Sequence, residues 1–339
     1  MAAESCGHQV SRRRFMQAAS VAGLELLAGC GRLPWQAQPG TPRIGYLSAG
    51  SATDPVNARR VEAFRSGLRD LGYTDGQNLL VEWRYGEREQ LPALVAELVQ
   101  LPVQIIVVGS GSALLATMSR TTTIPVVVLF SGDLVRLGLV ASYARPGGNV
   151  TGLTYMATDL AGKRLQLLKE VVSGLSRVVT LSNPTELASV PELAETQSAA
   201  QQLGVEVRSV QVREPDELRE AFAAMAREQA DGLITFAHAF SLDNRQRIVD
   251  LAAERQLPAM YGLSEFAEAG GLMAYGPRLT TLYRQAATHV QKILQGASPA
   301  DLPIEEPREF DFVLNLRAAR ALGLTMPQHV LLQATEVIQ

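Results

Sequence analysis

The sequence predicts an α/β protein built as two successive units, each a parallel sheet with helices on its faces. From Arg43 onward, short apolar runs alternate with apolar stripes at helical spacing. The runs Ile105-Ile106-Val107-Val108 and Val126-Val127-Val128-Leu129 are apolar at every position, as strands covered on both faces are. At 339 residues the chain is also roughly twice the ~150 of a typical domain. Hydrophobic residues make up 47% and charged residues 19%, so there is ample apolar surface for a core. With 31 basic against 34 acidic residues the formal charge is -3, a balance that does not gather phosphates or anionic lipid, so no nucleic-acid partner is expected. The two cysteines, Cys6 and Cys30, both precede the first strand, which excludes a disulfide framework or a cysteine metal site in the folded body.

Taken in order, the chain opens with an address. Ser11-Arg12-Arg13-Arg14-Phe15-Met16 and the mildly apolar stretch from Ala18 to Ala28 read as the charged and apolar regions of a bacterial export signal, and resemble a twin-arginine signal. The stretch is short and carries Glu25, so it is no membrane-spanning helix. Leu27-Ala28-Gly29-Cys30 resembles a lipobox, which implies lipidation of Cys30; simple cleavage after the Ala-rich stretch is the alternative. Residues 1–30 are thus the signal and 31–42, rich in Pro, Gln and Gly, a flexible tether.

The body then alternates. Strands are predicted at Arg43–Leu47, Leu79–Trp83, Gln104–Val108 and Ile124–Phe130. Between them lie helices carrying Val61, Phe64, Leu68 and Leu71, then Leu91, Leu94, Val95 and Leu98, then Ala113–Ser119. After Pro146-Gly147-Gly148 a second series follows. Its strands are Arg177–Leu181, Val205–Val210, Gly232–Phe236 and Pro258–Tyr261; its helices are Asp159–Val172, one ending at Gly204, Glu214–Gln229 and Ser241–Gln256.

In such sheets ligands lie beyond the carboxyl ends of the strands. The residues there are Ser48, Gly50 and Ser51; Gly109 and Ser110; Asp133; Asn183; His238; and the aromatics Phe236 and Tyr261. Hydroxyls, Asn183 and free amides suit a carboxylate, Asp133 suits an ammonium, and the aromatics either floor an apolar ligand or fill the core. Turn and cap roles are the competing reading for the polar set. Gly109-Ser110-Gly111 partly mimics a dinucleotide fingerprint, but Leu114 stands where the third glycine belongs. There is no Walker A pattern and no nucleophile elbow, and the four histidines lack metal-ligand spacing, so neither cofactor nor metal is expected.

A resemblance gathers these features. Arg43-Ile44-Gly45-Tyr46-Leu47-Ser48, Leu71-Gly72-Tyr73, Gly132-Asp133-Leu134-Val135, Arg145-Pro146-Gly147-Gly148-Asn149-Val150-Thr151-Gly152 and Glu268-Ala269-Gly270-Gly271-Leu272-Met273-Ala274-Tyr275-Gly276 resemble the ABC transporter substrate-binding family that includes tryptophan and tyrosine binders. The likeness implies a type I periplasmic-binding-protein fold, with two Rossmann-like lobes joined by three crossovers near Gly152-Leu153-Thr154, Tyr275-Gly276-Pro277 and Arg308-Glu309-Phe310. One lobe would comprise 43–153 and 276–307, the other 154–275 and 308–339. It further implies a non-enzymatic receptor for a small solute, an aromatic or other amino acid among the candidates, outside the cytoplasm, with permease subunits as partners and only the lipid anchor touching the membrane. An exported NAD(P)-dependent oxidoreductase on a Rossmann-like fold is the alternative class.

Overall fold

The computed structural model describes residues 40–339 apart from Ser131, Ala157 and Leu187. The export signal, Cys30 and most of the tether therefore lie outside the described residues.

Five parallel strands form the first sheet: β1 (Arg43–Ala49), β2 (Leu80–Gly86), β3 (Ile105–Val108), β4 (Val126–Val128) and β5 (Val150–Gly152), in the order β2-β1-β3-β4-β5. Side chains alternate across a strand, so Ile105 and Val107 enter one core cluster with Tyr46 and Phe64, while Ile106 and Val108 enter another with Val95 and Leu114. Hence the unbroken apolar runs: helices cover both faces. They are α1 (Pro55–Asp70), α2 (Leu91–Gln100) and α3 (Gly111–Met118). Asp54 starts α1 by accepting the Val56 and Asn57 amides ahead of a helix with Pro55 at its first position.

The second sheet comprises β6 (Arg177–Ser182), β7 (Glu206–Gln211), β8 (Gly232–Thr235), β9 (Ala259–Tyr261), β10 (Met273–Pro277), β11 (Phe310–Asn315) and β12 (Glu336–Ile338), ordered β12-β11-β10-β9-β8-β6-β7. Its helices are α4 (Ala161–Val171), α5 (Ser189–Leu203), α6 (Leu218–Arg227), α7 (Ala239–Asp243), α8 (Arg245–Glu254), α9 (Ser264–Glu268), α11 (Leu316–Ala321) and α12 (Gln328–Leu331), whereas α10 (Leu279–Leu294), between β10 and β11, returns to the first sheet and packs on α1, β4 and β5. Two expectations need correction. The sheet is not wholly parallel: β10 and β11 run antiparallel, because the chain leaves the lobe after β10 and re-enters beside it through β11. The helix expected over 241–256 is two, beginning at Ala239 and broken at Asn244, whose side-chain amide bonds the Phe240 carbonyl at 2.9 Å.

The connections between the sheets run side by side. Thr154 N–H donates to the Glu305 carbonyl (3.1 Å), Glu305 N–H to that of Gly152 (2.9 Å), and Arg278 N–H to that of Glu309 (3.1 Å). Gly152 has φ +132°, and a Cβ there would lie 2.2 Å from the Val128 oxygen, so glycine is required. At Gly67, a Cβ would meet the Arg284 oxygen at 2.3 Å, which is how α10 lies close against α1.

Candidate functional site

The strand ends of the two sheets face each other across a cleft. From the first lobe come Ser48, Gly109, Ser110 and Phe130, with Asn57 and Arg60 from α1; from the second come Tyr155, Glu186, His238, Ala239 and Asp243. The lobes are closed on one another. Among the described residues, two small cavities lie between them, of about 20 and 10 Å³, meeting at Phe130 and Ala239. Each holds at most about one water. Ion pairs cross the rim: Arg59–Glu268 at 2.6 Å, Asp54–Arg245 at 2.9 Å and Arg88–Glu186 at 3.3 Å. Singly, such partly exposed pairs are worth only ~0–1 kcal/mol.

One end of the cleft is charged. Arg60 is 6% exposed on the mostly apolar buried face of α1; its guanidinium donates to Asn57 Oδ1 and lies 5.7 Å from the centre of the Tyr283 ring. Facing it, Asp243 is an exposed residue whose carboxyl lies beside the Gly50 turn. Burial pushes it up to about 6, helped by the charges of Glu87, Asp54 and Glu186 and opposed by Arg60. Deeper in, burial also raises the Glu265 carboxyl, against the same guanidinium. The other end is aromatic: Phe130 stacks on Tyr155 with centroids 4.3 Å apart, beside Glu186 and His238.

Of the residues singled out from sequence, Ser48, Gly109, Ser110 and His238 line these cavities. Gly50 is adjacent, since a Cβ there would lie 3.2 Å from Asp243 Oδ1. Ser51 is exposed and lends its carbonyl to Asn57. Others are engaged elsewhere. Asp133 Oδ1 accepts the Val135 and Arg136 amides at 3.0 and 2.9 Å, capping its own turn outside both cavities. Asn183 likewise closes its turn on Thr185. Phe236 is packed into the second lobe's core, and Tyr261 stacks on Phe266.

Tyr261 does line a larger cavity, about 460 Å³, with Val249, Ala252, Leu257, Leu272 and Leu322. It shares no residue with the cleft, and only Gln256 and Arg317 bring it polar side chains apart from the Tyr261 hydroxyl. Size favours that cavity; converging polar groups and a shifted carboxyl favour the cleft, and for recognition of a polar solute the latter decide. Leu114, where a dinucleotide turn needs glycine, is fully buried in the first lobe's core.

Arg60, Asn57, Asp243, Glu186 and Tyr155 were not singled out from sequence. Arg60 did leave a trace: a cation within the stripe Val56, Phe64 and Leu68, on the face a helix buries.

The sequence pattern of a family described as ABC transporter substrate binding protein matches residues 53–338. Over 266 residues the chain is 23% identical to a tyrosine-binding protein of Clostridioides difficile (strain R20291), covering 78% of this chain and 76% of that one. Among solved structures, the ABC domain from Streptococcus pneumoniae in complex with L-Trp superposes with a TM-score of 0.82 at 23% identity, covering 88% of this chain and all (100%) of that one. A ligand-free, open substrate binding protein with adhesive properties from Clostridium difficile superposes with a TM-score of 0.65 at 20% identity, covering 88% and 99%.

Proposed function

The chain belongs to the ABC transporter substrate binding protein family, and from that premise we propose that its cleft takes an amino acid with an aromatic side chain and delivers it to importer permease subunits. The observation that carries the ligand class is the pairing of a charged end and an aromatic end that meet at Phe130 and Ala239. Arg60, with Asn57 and Ser48, offers donors to the α-carboxylate, and Asp243 offers a carboxylate to the ammonium. Phe130 and Tyr155 offer faces to the ring. The relatives named for tyrosine and solved with L-Trp support this reading.

Isothermal titration of the full chain with tyrosine, tryptophan, phenylalanine, leucine and benzoate tests it. Saturable binding of at least one aromatic amino acid, tighter than leucine or benzoate, is expected; binding of none of the three would overturn the reading.

A pH dependence follows from Asp243. Only the ionised carboxylate pairs with an ammonium, and its proton is held up to about pH 6. Affinity should be flat above that and fall toward tenfold per pH unit below it, since one unit of proton competition is about 1.4 kcal/mol. In Asp243→Asn, affinity should be roughly tenfold weaker and level across this range. A wild-type dissociation constant that is level from pH 7.5 to 5 would remove Asp243 from the site.

Among the described residues no helix is long and apolar enough to cross a membrane. We assign membrane contact to the N-terminus alone, through a twin-arginine-like signal and lipidated Cys30. Release of a Cys30→Ser chain from membranes is the expected result, and its retention would exclude the anchor.

A further inference from the structure

His238 is 4% exposed and precedes the first residue of α7. Its ring is held from one side: Nδ1 accepts the Ser241 N–H at 3.3 Å, while the Ser241 hydroxyl is itself fixed on the Phe236 carbonyl at 2.6 Å. A nitrogen that accepts carries no proton, so the neutral ring must bear its hydrogen on Nε2. Burial lowers the basicity of the ring and keeps it in that neutral form. Nε2 is buried and has no hydrogen-bond partner. The ring borders the cavity of about 20 Å³ walled also by Phe130, Tyr155, Gly132 and Glu186.

We propose that His238 is the specificity residue at the aromatic end of the cleft, an Nε2–H donor that selects a ring bearing an oxygen acceptor, a phenol, over phenyl or indole. The inference rests on the aromatic amino-acid reading above. A phenol oxygen accepts from Nε2–H, and its own O–H has the Glu186 carboxylate on the same wall to donate to. A phenyl ring has no acceptor, and an indole N–H only donates, so either leaves the imidazole donor buried and unpaired once the lobes close. Sites built to hydrogen-bond a substrate hydroxyl discriminate far more strongly than those that only measure size. Because the donor is uncharged, it adds this selectivity without changing the charge balance set by Arg60 and Asp243.

The test is titration of the full chain with tyrosine, phenylalanine and tryptophan. Wild type is expected to bind tyrosine roughly 30-fold tighter than phenylalanine, and tighter than tryptophan. His238→Asn keeps a side chain that caps α7 but is too short to donate into the cavity, so the tyrosine-to-phenylalanine ratio should fall to within about threefold. His238→Gln, whose amide has longer reach, should restore part of it. A merely structural role would weaken all three ligands together and leave the ratio intact. A wild-type ratio near one, or an unchanged ratio in His238→Asn, overturns the role of His238 while leaving the aromatic reading standing. Failure of all three ligands to bind wild type would overturn both.

Discussion

Arg60→Met is expected to weaken binding of the aromatic solute by about 10²–10³-fold, the loss that follows when one partner of a buried charge pair is removed and the other stays desolvated. The side chain is nearly sealed from water, with Nε 3.4 Å from the Val56 carbonyl and the guanidinium against Asn57 and Tyr283. Its charge also opposes the upward pull of burial on Asp243 and Glu265. Without it both carboxyls hold their protons to higher pH, so the variant loses the carboxylate anchor and part of the ammonium anchor together. Arg60→Lys should recover only part, because an ammonium does not reproduce the planar fork that meets Asn57 and a ligand carboxylate at once. Titration calorimetry at pH 7.5 decides the matter. A dissociation constant for Arg60→Met within threefold of wild type would place the solute's carboxylate elsewhere.

The largest effect on stability is expected away from the ligand. Arg164 of α4 and Glu192 of α5 meet at 2.6 Å with side chains 0% and 1% exposed. Arg164 Nε also donates to the Tyr275 carbonyl at 2.8 Å, and Nη2 to that of Gly262 at 3.4 Å, so the pair ties two helices to the connection at β10. Glu192→Ala removes the acceptor opposite a sealed guanidinium and, above about pH 8 where that acceptor is a carboxylate, should cost about 3–5 kcal/mol in denaturant unfolding. Replacing both, Arg164→Met with Glu192→Leu, should restore most of that, since no buried charge then remains at the site.

The pH signature has a definite sign. Burial pushes the Glu192 carboxyl up to about 8 from an ordinary 4.5, against Arg164. The native state then binds this proton more tightly than the unfolded chain does, and stability due to this group falls as pH rises from about 4.5 to 8. In Glu192→Gln, whose side chain still accepts from Arg164, that slope should disappear. A loss below about 1 kcal/mol for Glu192→Ala would show that the pair carries no such weight.

Local periodicity determined the elements, because which face of a helix or strand is apolar is settled by residues two to four apart. From it came the buried strands, the stripe of α1 and, through the strand-end rule, the placing of Ser48, Gly109, Ser110 and His238 at the cleft. The same rule could not say where a side chain there would turn. Phe236 continues the face of Ile234 and enters the second lobe's core, and Asp133 turns its Oδ1 onto two amides within three residues. Nor does spacing along the chain bring Arg60 to Asp243, which sits at the end of a five-residue helix where one long helix was expected. Those two, with Glu186 and Tyr155, share a cleft only because parallel segments tie two sheets together and let their carboxyl edges close face to face. That closure depends on packing between residues up to some two hundred positions apart, as in Arg59 with Glu268, separated by 209. Contacts of that range arise from how whole lobes fit, which no window of local sequence encodes.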